Sequence, residues 1–424
     1  MLNFKVGHFT WPSATGNYAV TGLGFKPKVV YLYGTNSTLG TPFVTNNTHV
    51  SKGAMTDQGQ QFATCEAVEQ GTGTGGGGAL AQRIDRCYTA WKLSSDAGPL
   101  AEASYVSMDS DGFTINVIVT DAGGREVGYL AWGGDALRGA SITEHGLQPN
   151  IAEAYRTFEL GSVAHLLLTR SVGSPTSGNR EGLESTTYSN DMALITLSDG
   201  GVSNATNVVG LGCSPAQTTA FTGSSNCSGL VFFRFLDGSL PGLMFNATFR
   251  AFSGSILSVF RSIEADVPLY FHTLALAGLI GTYQALVVPA TPQSVAYTLG
   301  FKPAGLLFYS NNTAVGGIAR ANSCQGFTDG VNHFACGTST LRSAVLGVTR
   351  RRTGQYMSTS ESVYVLVGPP GPASVIGTVT SLDPTGFTMN WTTVTSGIRV
   401  HAIAFKERPV AHASPETFLT GRIQ

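Results

Sequence analysis

Two hydrophobic patterns alternate along the chain. In Phe113-Thr114-Ile115-Asn116-Val117 and Phe387-Thr388-Met389-Asn390-Trp391 apolar and polar residues take turns, the period-2 sign of a half-buried strand. Elsewhere short apolar runs occur without alternation: Val29 to Tyr33, Val163 to Leu168, Val127 to Trp132, Tyr270 to Ala277, Leu306 to Tyr309 and Val400 to Phe405. These are too short for a membrane span and suit strands. Asp- and Gly-containing turns precede the alternating segments, because Asp bonds its own backbone and Gly accepts positive φ. No convincing amphipathic helix is present, and the best candidate, Ile151 to Phe158, is short and ambiguous.

The strand signals recur. Gly22-Leu23-Gly24-Phe25-Lys26-Pro27 leads into Val29-Val30-Tyr31-Leu32-Tyr33, and Leu299-Gly300-Phe301-Lys302-Pro303 leads into Gly305-Leu306-Leu307-Phe308-Tyr309. A weaker middle copy runs from Leu160-Gly161-Ser162-Val163 into Leu166-Leu167-Leu168. Pro27 and Pro303 lack an N–H and fit the mouth of a strand. Next, Gly53-Ala54-Met55-Thr56-Asp57 precedes Phe62, and Gly326-Phe327-Thr328-Asp329 precedes Phe334; Gly182-Leu183-Glu184-Ser185 before Met192 is a looser middle match. The clearest marker is Ser107-Met108-Asp109-Ser110-Asp111-Gly112-Phe113-Thr114 against Ser381-Leu382-Asp383-Pro384-Thr385-Gly386-Phe387-Thr388, with only an outline at Ala251 to Ser258. The period predicts an all-β chain of three tandem β-sandwich, jelly-roll-like modules, closed barrels being the alternative. Their bounds are 1–135, a divergent 136–278, and 279–407, followed by a C-terminal arm or loose terminus at 408–424.

Composition narrows the function. Hydrophobic residues make up 42 % and charged residues 12 %, so a folded chain is expected, its surface carried by uncharged polar groups that are cheap to dehydrate. Net charge is −1, which offers no field for nucleic acid. One basic run, Arg350-Arg351-Arg352, reads as a solvated turn or as a contact with an acidic partner. The start of the chain shows no basic and apolar leader, and no run is long enough to span a membrane as a helix. The Gly71 to Gly78 stretch reads as a flexible loop, since no Lys-Ser/Thr follows it to hold a phosphate.

Chemistry-bearing patterns are sparse. Six cysteines (Cys65, Cys87, Cys213, Cys227, Cys324 and Cys336) form no C-x-x-C pair; they read as buried thiols, with one local disulfide per module as the alternative. His145, His165, His272 and His401 lie on or beside strands and form no metal-binding pair. Of the acidic pairs, Asp109/Asp111 and Glu184/Asp191, Asp109 recurs as Asp383 and reads as a turn former; Asp57 and Asp329 read as turns or caps. No catalytic residue, cofactor or metal site is expected. Trp132 and Trp391 sit in strand patterns as core, while Trp11 and Trp91 are candidate stacking platforms for a sugar ring.

Phe4-Lys5-Val6-Gly7-His8-Phe9-Thr10, Gly16, Val20 to Val30, Arg86-Cys87, Ala103 to Asn116 and Val127 to Gly134 resemble a module common in virion and tail proteins of tailed bacteriophages. The resemblance covers most of the first module and both ends of the third; the middle module lacks the Gly-Phe-x-Pro entry and the Asp-x-Asp-Gly-Phe turn. It implies a non-enzymatic structural component of the particle (tail, fibre or capsid decoration), located in the virion after assembly in the host cytoplasm. The implied partners are other virion proteins and copies of the chain itself. A receptor- or glycan-binding virion module is the alternative.

Overall fold

The computed structural model describes residues 1–35, 39, 43–45, 47–69, 78–92, 98–121, 123–147, 269–311, 320–345, 348–366 and 373–407, and between 154 and 263 the strands named below with Asn179 and Ser255. The fold is all-β and its pairings are antiparallel apart from one isolated parallel bridge, Leu39 to Met357; there is no helix among the described residues.

The first third holds β1 (Asn3–Thr10), β2 (Gly16–Thr21), β3 (Pro27–Thr35), β4 (Phe43–Thr45), β5 (Asn47–Thr56), β6 (Gln61–Glu69), β7 (Gly78–Arg83), β8 (Tyr88–Lys92), β9 (Gly98–Asp109), β10 (Gly112–Val119) and β11 (Glu126–Gly133). The middle third holds β12 (Gly139–Leu147), β13 (Ala154–Glu159), β14 (Leu166–Ser174), β15 (Arg180–Leu183), β16 (Asn190–Ser198), β17 (Gly201–Ser203), β18 (Asn207–Cys213), β19 (Thr222–Ser228), β20 (Leu230–Phe235), β21 (Leu243–Ser253), β22 (Ile256–Ile263) and β23 (Leu269–Ala277). The last third holds β24 (Leu279–Val287), β25 (Gln293–Thr298), β26 (Gly305–Asn311), β27 (Arg320–Thr328), β28 (His333–Val345), β29 (Val348–Ser358), β30 (Val363–Leu366), β31 (Ala373–Asp383), β32 (Gly386–Thr393) and β33 (Arg399–Glu407). The ambiguous segment at Ile151 to Phe158 therefore ends in a strand, β13, with 151–153 outside the described residues.

Each third contributes a large and a small sheet in one recurring order. The large sheets run β1-β11-β3-β5-β6-β7, β12-β23-β14-β16-β18-β19 and β24-β33-β26-β27-β28-β29; the small ones run β2-β10-β9-β8, β13-β22-β21-β20 and β25-β32-β31-β30. A bulge recurs too. Pairing skips Val106 between Ser107↔Thr114 and Tyr105↔Ile115, Arg250 between Ala251↔Ser258 and Phe249↔Val259, and Thr380 between Ser381↔Thr388 and Val379↔Met389. A one-residue bulge adds local twist, and here it sits at the same place in each hairpin.

The turn chemistry is as the sequence suggests. The Asp109 carboxylate accepts bonds from Ser107 Oγ and Thr114 Oγ1, both at 2.7 Å, which hold it below the usual carboxylate range. Asp383 accepts from Thr388 Oγ1 at 2.8 Å. Asp111 accepts from the backbone N–H groups of Gly22 and Gly24, whose φ of 86° and 80° only glycine adopts readily. One middle marker differs from its expected role. Gly182 and Leu183 lie in β15, the counterpart of β4, whereas the counterpart of the Gly53 strand is β16.

The two hydrophobic patterns correspond to two kinds of sheet. Phe113, Ile115 and Val117 of β10 face the core between the first large and small sheets, while Thr114 and Asn116 face outward and are half-buried. Phe387, Met389 and Trp391 of β32 do the same in the last third. The unbroken runs Val29 to Tyr33, Val127 to Trp132, Leu306 to Tyr309 and Val400 to Phe405 belong to strands buried on both faces. In β3, Val30 and Leu32 face that local core, whereas Val29, Tyr31 and Tyr33 enter a second core. In β26, β11 and β33 the same split holds: Leu307, Tyr309, Leu130, Trp132, Ile403 and Phe405 all reach the second core. Leu137, Ala140, Ile142, Leu274 and Leu276 of the middle third join it. Among the described residues all three large sheets therefore contribute side chains to one shared core.

Candidate functional site

Trp11 and Trp91 are not platforms: they are only 2 % and 5 % exposed. The Trp11 ring packs on Tyr88 and Phe9, and its Nε1 donates to the Val119 carbonyl at 3.1 Å. Trp91 Nε1 donates to Thr89 Oγ1 at 3.1 Å. Both indoles spend their one N–H on the protein and keep no face for a sugar. They looked open because each stands where a strand meets a loop, a setting that periodicity does not resolve. Arg350, Arg351 and Arg352 are not in a turn but in β29, opposite Ser343, Arg342 and Leu341 of β28.

Cys65, Cys87, Cys324 and Cys336 are buried thiols, and burial pushes Cys87 and Cys324 up to about 12, far from thiolate chemistry. Cys213 and Cys227 lie on β18 and β19. His145, His272 and His401 are buried on β12, β23 and β33. Asp191 stands on β16; His165, Glu184, residues 71–77 and the 408–424 segment lie outside the described residues. Among the described residues no group of three or more His, Cys, Asp or Glu could hold a metal ion.

Two charged clusters went unnoticed in the sequence. Arg83 and Arg86 reach Glu102 at 3.5 and 3.4 Å and Asp85 at 2.9 and 2.6 Å, and Thr89 Oγ1 donates to Glu102 at 3.0 Å. Burial opposes ionisation of Asp85, but the bond and charge of Arg83 and the charge of Arg86 hold its pKa below normal. Arg125 binds Asp121 at 2.5 Å and bonds to His49, which burial first and the Arg125 charge second hold well below its usual pKa. Both clusters tie strands and loops of the first third together. Their acids and bases are consumed by one another.

What the structure concentrates instead is contact between the thirds. β4 leaves its own third and pairs with β29 of the last (Thr45↔Thr353, Val44↔Gly354, Phe43↔Gln355), one residue from Arg352. β15 leaves the middle third and pairs with β7 of the first (Arg180↔Gln82 to Leu183↔Ala79). Turns repeat the same gesture. The Asp329 carboxylate, at the β27–β28 turn, accepts from Val6 N on β1 at 3.1 Å; Gln60 Oε1, at the β5–β6 turn, accepts from Ile142 N on β12 at 3.0 Å. Val6 and Ile142 hold the same register position, opposite Leu130 and Leu274.

Aromatic contacts follow suit. Phe62 stacks on His272 with centroids 5.0 Å apart and planes 3° from parallel, and Phe4, Trp132 and Phe405 form a cluster with centroids 5.6 to 6.0 Å apart. Gly128 and Gly305 are bare because a Cβ there would collide with the rings of Phe334 and Phe4, each from another third. The middle and last thirds meet where β19 lies beside β27 and β16 beside β24.

A scan of protein-family models gives no match to this chain, and a search of curated proteins gives no relative.

Proposed function

We propose that the chain is three copies of one β-sandwich-like module, bounded near residues 135 and 278, wound about a common apolar centre. We further propose that it serves as a non-enzymatic structural component of a tailed-phage particle, in the tail, a fibre or a capsid decoration. The observation that carries this reading is the exchange of strands: β4 and β15 each complete a sheet in another third. Such exchange, with a core drawn from all three thirds, makes one stiff body whose outside is broad and poor in charge. A body of that kind works by its faces, and stable contacts of this sort bury above about 1,000 Å². The phage resemblance of the Gly22 to Val30, Ser107 to Asn116 and Val127 to Gly134 segments points to the particle as the setting. The glycan-binding alternative has lost the two indoles that motivated it.

Mass spectrometry and imaging of purified particles that encode this chain test the proposal. The expected result is a stoichiometric virion component whose density shows three similar lobes about one centre. Absence from the particle, or turnover of glycans by the purified chain, would overturn it.

A further inference from the structure

Sheet edges carry unpaired N–H and C=O groups, and a chain of strands must cover them or offer them to a partner. Most edges here are covered from within. β7 is capped by β15 and β29 by β4. At the other ends of the large sheets, β1 lies against β27 and β28, β12 against β5 and β3, and β24 against β16 and β14. In the small sheets, β8 packs on β5 and β6, and β30 on β27 and β28. Three edges are left bare: β2, β25 and β13, which among the described residues pair only with β10, β32 and β22.

All three are the same element of the repeat, each six residues long. Ala19 stands opposite Thr114 and Ala296 opposite Thr388, in equivalent registers. Asn17, Ala19, Thr21, Ser294, Ala296 and Thr298 are all exposed. Neither Gly16-Asn17-Tyr18-Ala19-Val20-Thr21 nor Gln293-Ser294-Val295-Ala296-Tyr297-Thr298 contains a charge or a proline, the usual guards of an edge. The third equivalent edge, β13, carries Arg156 and Glu159. A chain with two matched, neutral, open edges on different thirds, whose own thirds already join by strand addition, has the parts for head-to-tail growth.

We infer that β2 of one copy pairs antiparallel with β25 of the next, joining small sheets of successive copies into a continuous eight-stranded sheet and the chains into a linear array. The inference names a partner for the structural role proposed above and rests on that reading.

Light scattering and electron microscopy of the purified full-length chain across a concentration series provide the test. Two double variants, Asn17→Lys with Ala19→Lys and Ser294→Lys with Ala296→Lys, put two ammonium groups on one edge each while touching only exposed positions. Wild type is expected to form arrays that lengthen with concentration. Each variant alone is expected to stay monomeric, because every junction needs one of each edge, and an equimolar mixture is expected to give heterodimers and nothing longer. A peptide copying Gln293–Thr298, added in excess, is expected to shorten the wild-type arrays without any mutation.

A wild-type chain that stays monomeric throughout would overturn the inference. So would homodimers of either variant, which would mean like-with-like pairing, or variants that assemble as the wild type does. Presence in the particle is measured separately, so failure of the edges leaves the virion reading standing, and the reverse.

Discussion

At the level of single residues, two features of this chain are sharp enough to measure. Gly53 and Gly326 sit where β5 and β27 pass under the small sheets, and a Cβ at either would overlap the backbone carbonyl oxygen of Cys87 or Ser362. Backbone cannot move aside as a side chain can, so Gly53→Ala and Gly326→Ala should each cost about 3 kcal/mol or more. Gly139→Ala is the control: its Cβ meets only the Ala277 Cβ at 3.9 Å, and its effect should stay within about 0.5 kcal/mol. Denaturant midpoints of the three variants decide the matter. His145 supplies a pH effect. Burial lowers its pKa from 6.5 to about 4, and its Nε2 bonds with Thr273 Oγ1 at 2.9 Å. A folded pKa below the unfolded one means the unfolded chain takes up the proton first. The stability from neutral His145 is therefore complete above pH 6.5 and drains away as pH falls toward 4, by about 3 kcal/mol in all. His49 and His333 are shifted in the same direction and steepen the decline. A His145→Gln variant followed by thermal melting from pH 7.5 to 4.5 should show a shallower fall than wild type.

Among the elements, the exchanged strands are the ones whose role can be isolated. β4 is three residues long and β15 four, far too short to hold together without a sheet to join. Their pairing closes the edges of β29 and β7. Proline has no N–H to donate and fixes φ, so Val44→Pro and Glu181→Pro should open the β29 and β7 seams locally. Hydrogen exchange should quicken by about tenfold or more around Thr353 to Gln355 in the first variant and Ala79 to Gln82 in the second, with the distant β10 and β32 unchanged. Equal quickening everywhere would mean the seams are not separate units. The strands that were legible in advance were those with a face: β10 and β32 alternate because one side meets water, and the bulged hairpins announce themselves through Asp109 and Asp383. β4 and β15 were illegible because three or four residues carry no period. The charge of the arginine run suggests a turn, but Arg350, Arg351 and Arg352 lie in the long strand β29, opposite β28.

Taken whole, the molecule depends on a core that no single third owns. Val29, Tyr31, Tyr33, Leu130 and Trp132 of the first third are buried only because the other two thirds cover them. An excised fragment of residues 1–135 would present that surface, with Trp132 and two tyrosines, to water, a patch of the kind that drives association. Such a fragment should aggregate or bind a hydrophobic dye, and the full chain should melt in one cooperative transition by calorimetry. A soluble, monomeric fragment with a sharp melt of its own would show that the shared core is dispensable.

Sequence alone determined the strand class and the hairpin turns at Asp109 and Asp383, because period-2 alternation, glycine at positive φ and aspartate at hairpin ends are local consequences of backbone geometry. It also fixed which residues are apolar. Only the tertiary structure decided where those residues went: that unbroken runs such as Val29 to Tyr33 divide between a local core and a common one, that Trp11 and Trp91 turn inward, and that short strands cross from one third to another. Burial on a second face depends on what lies across it, and strand pairing across a hundred residues or more leaves no mark on the segments that pair.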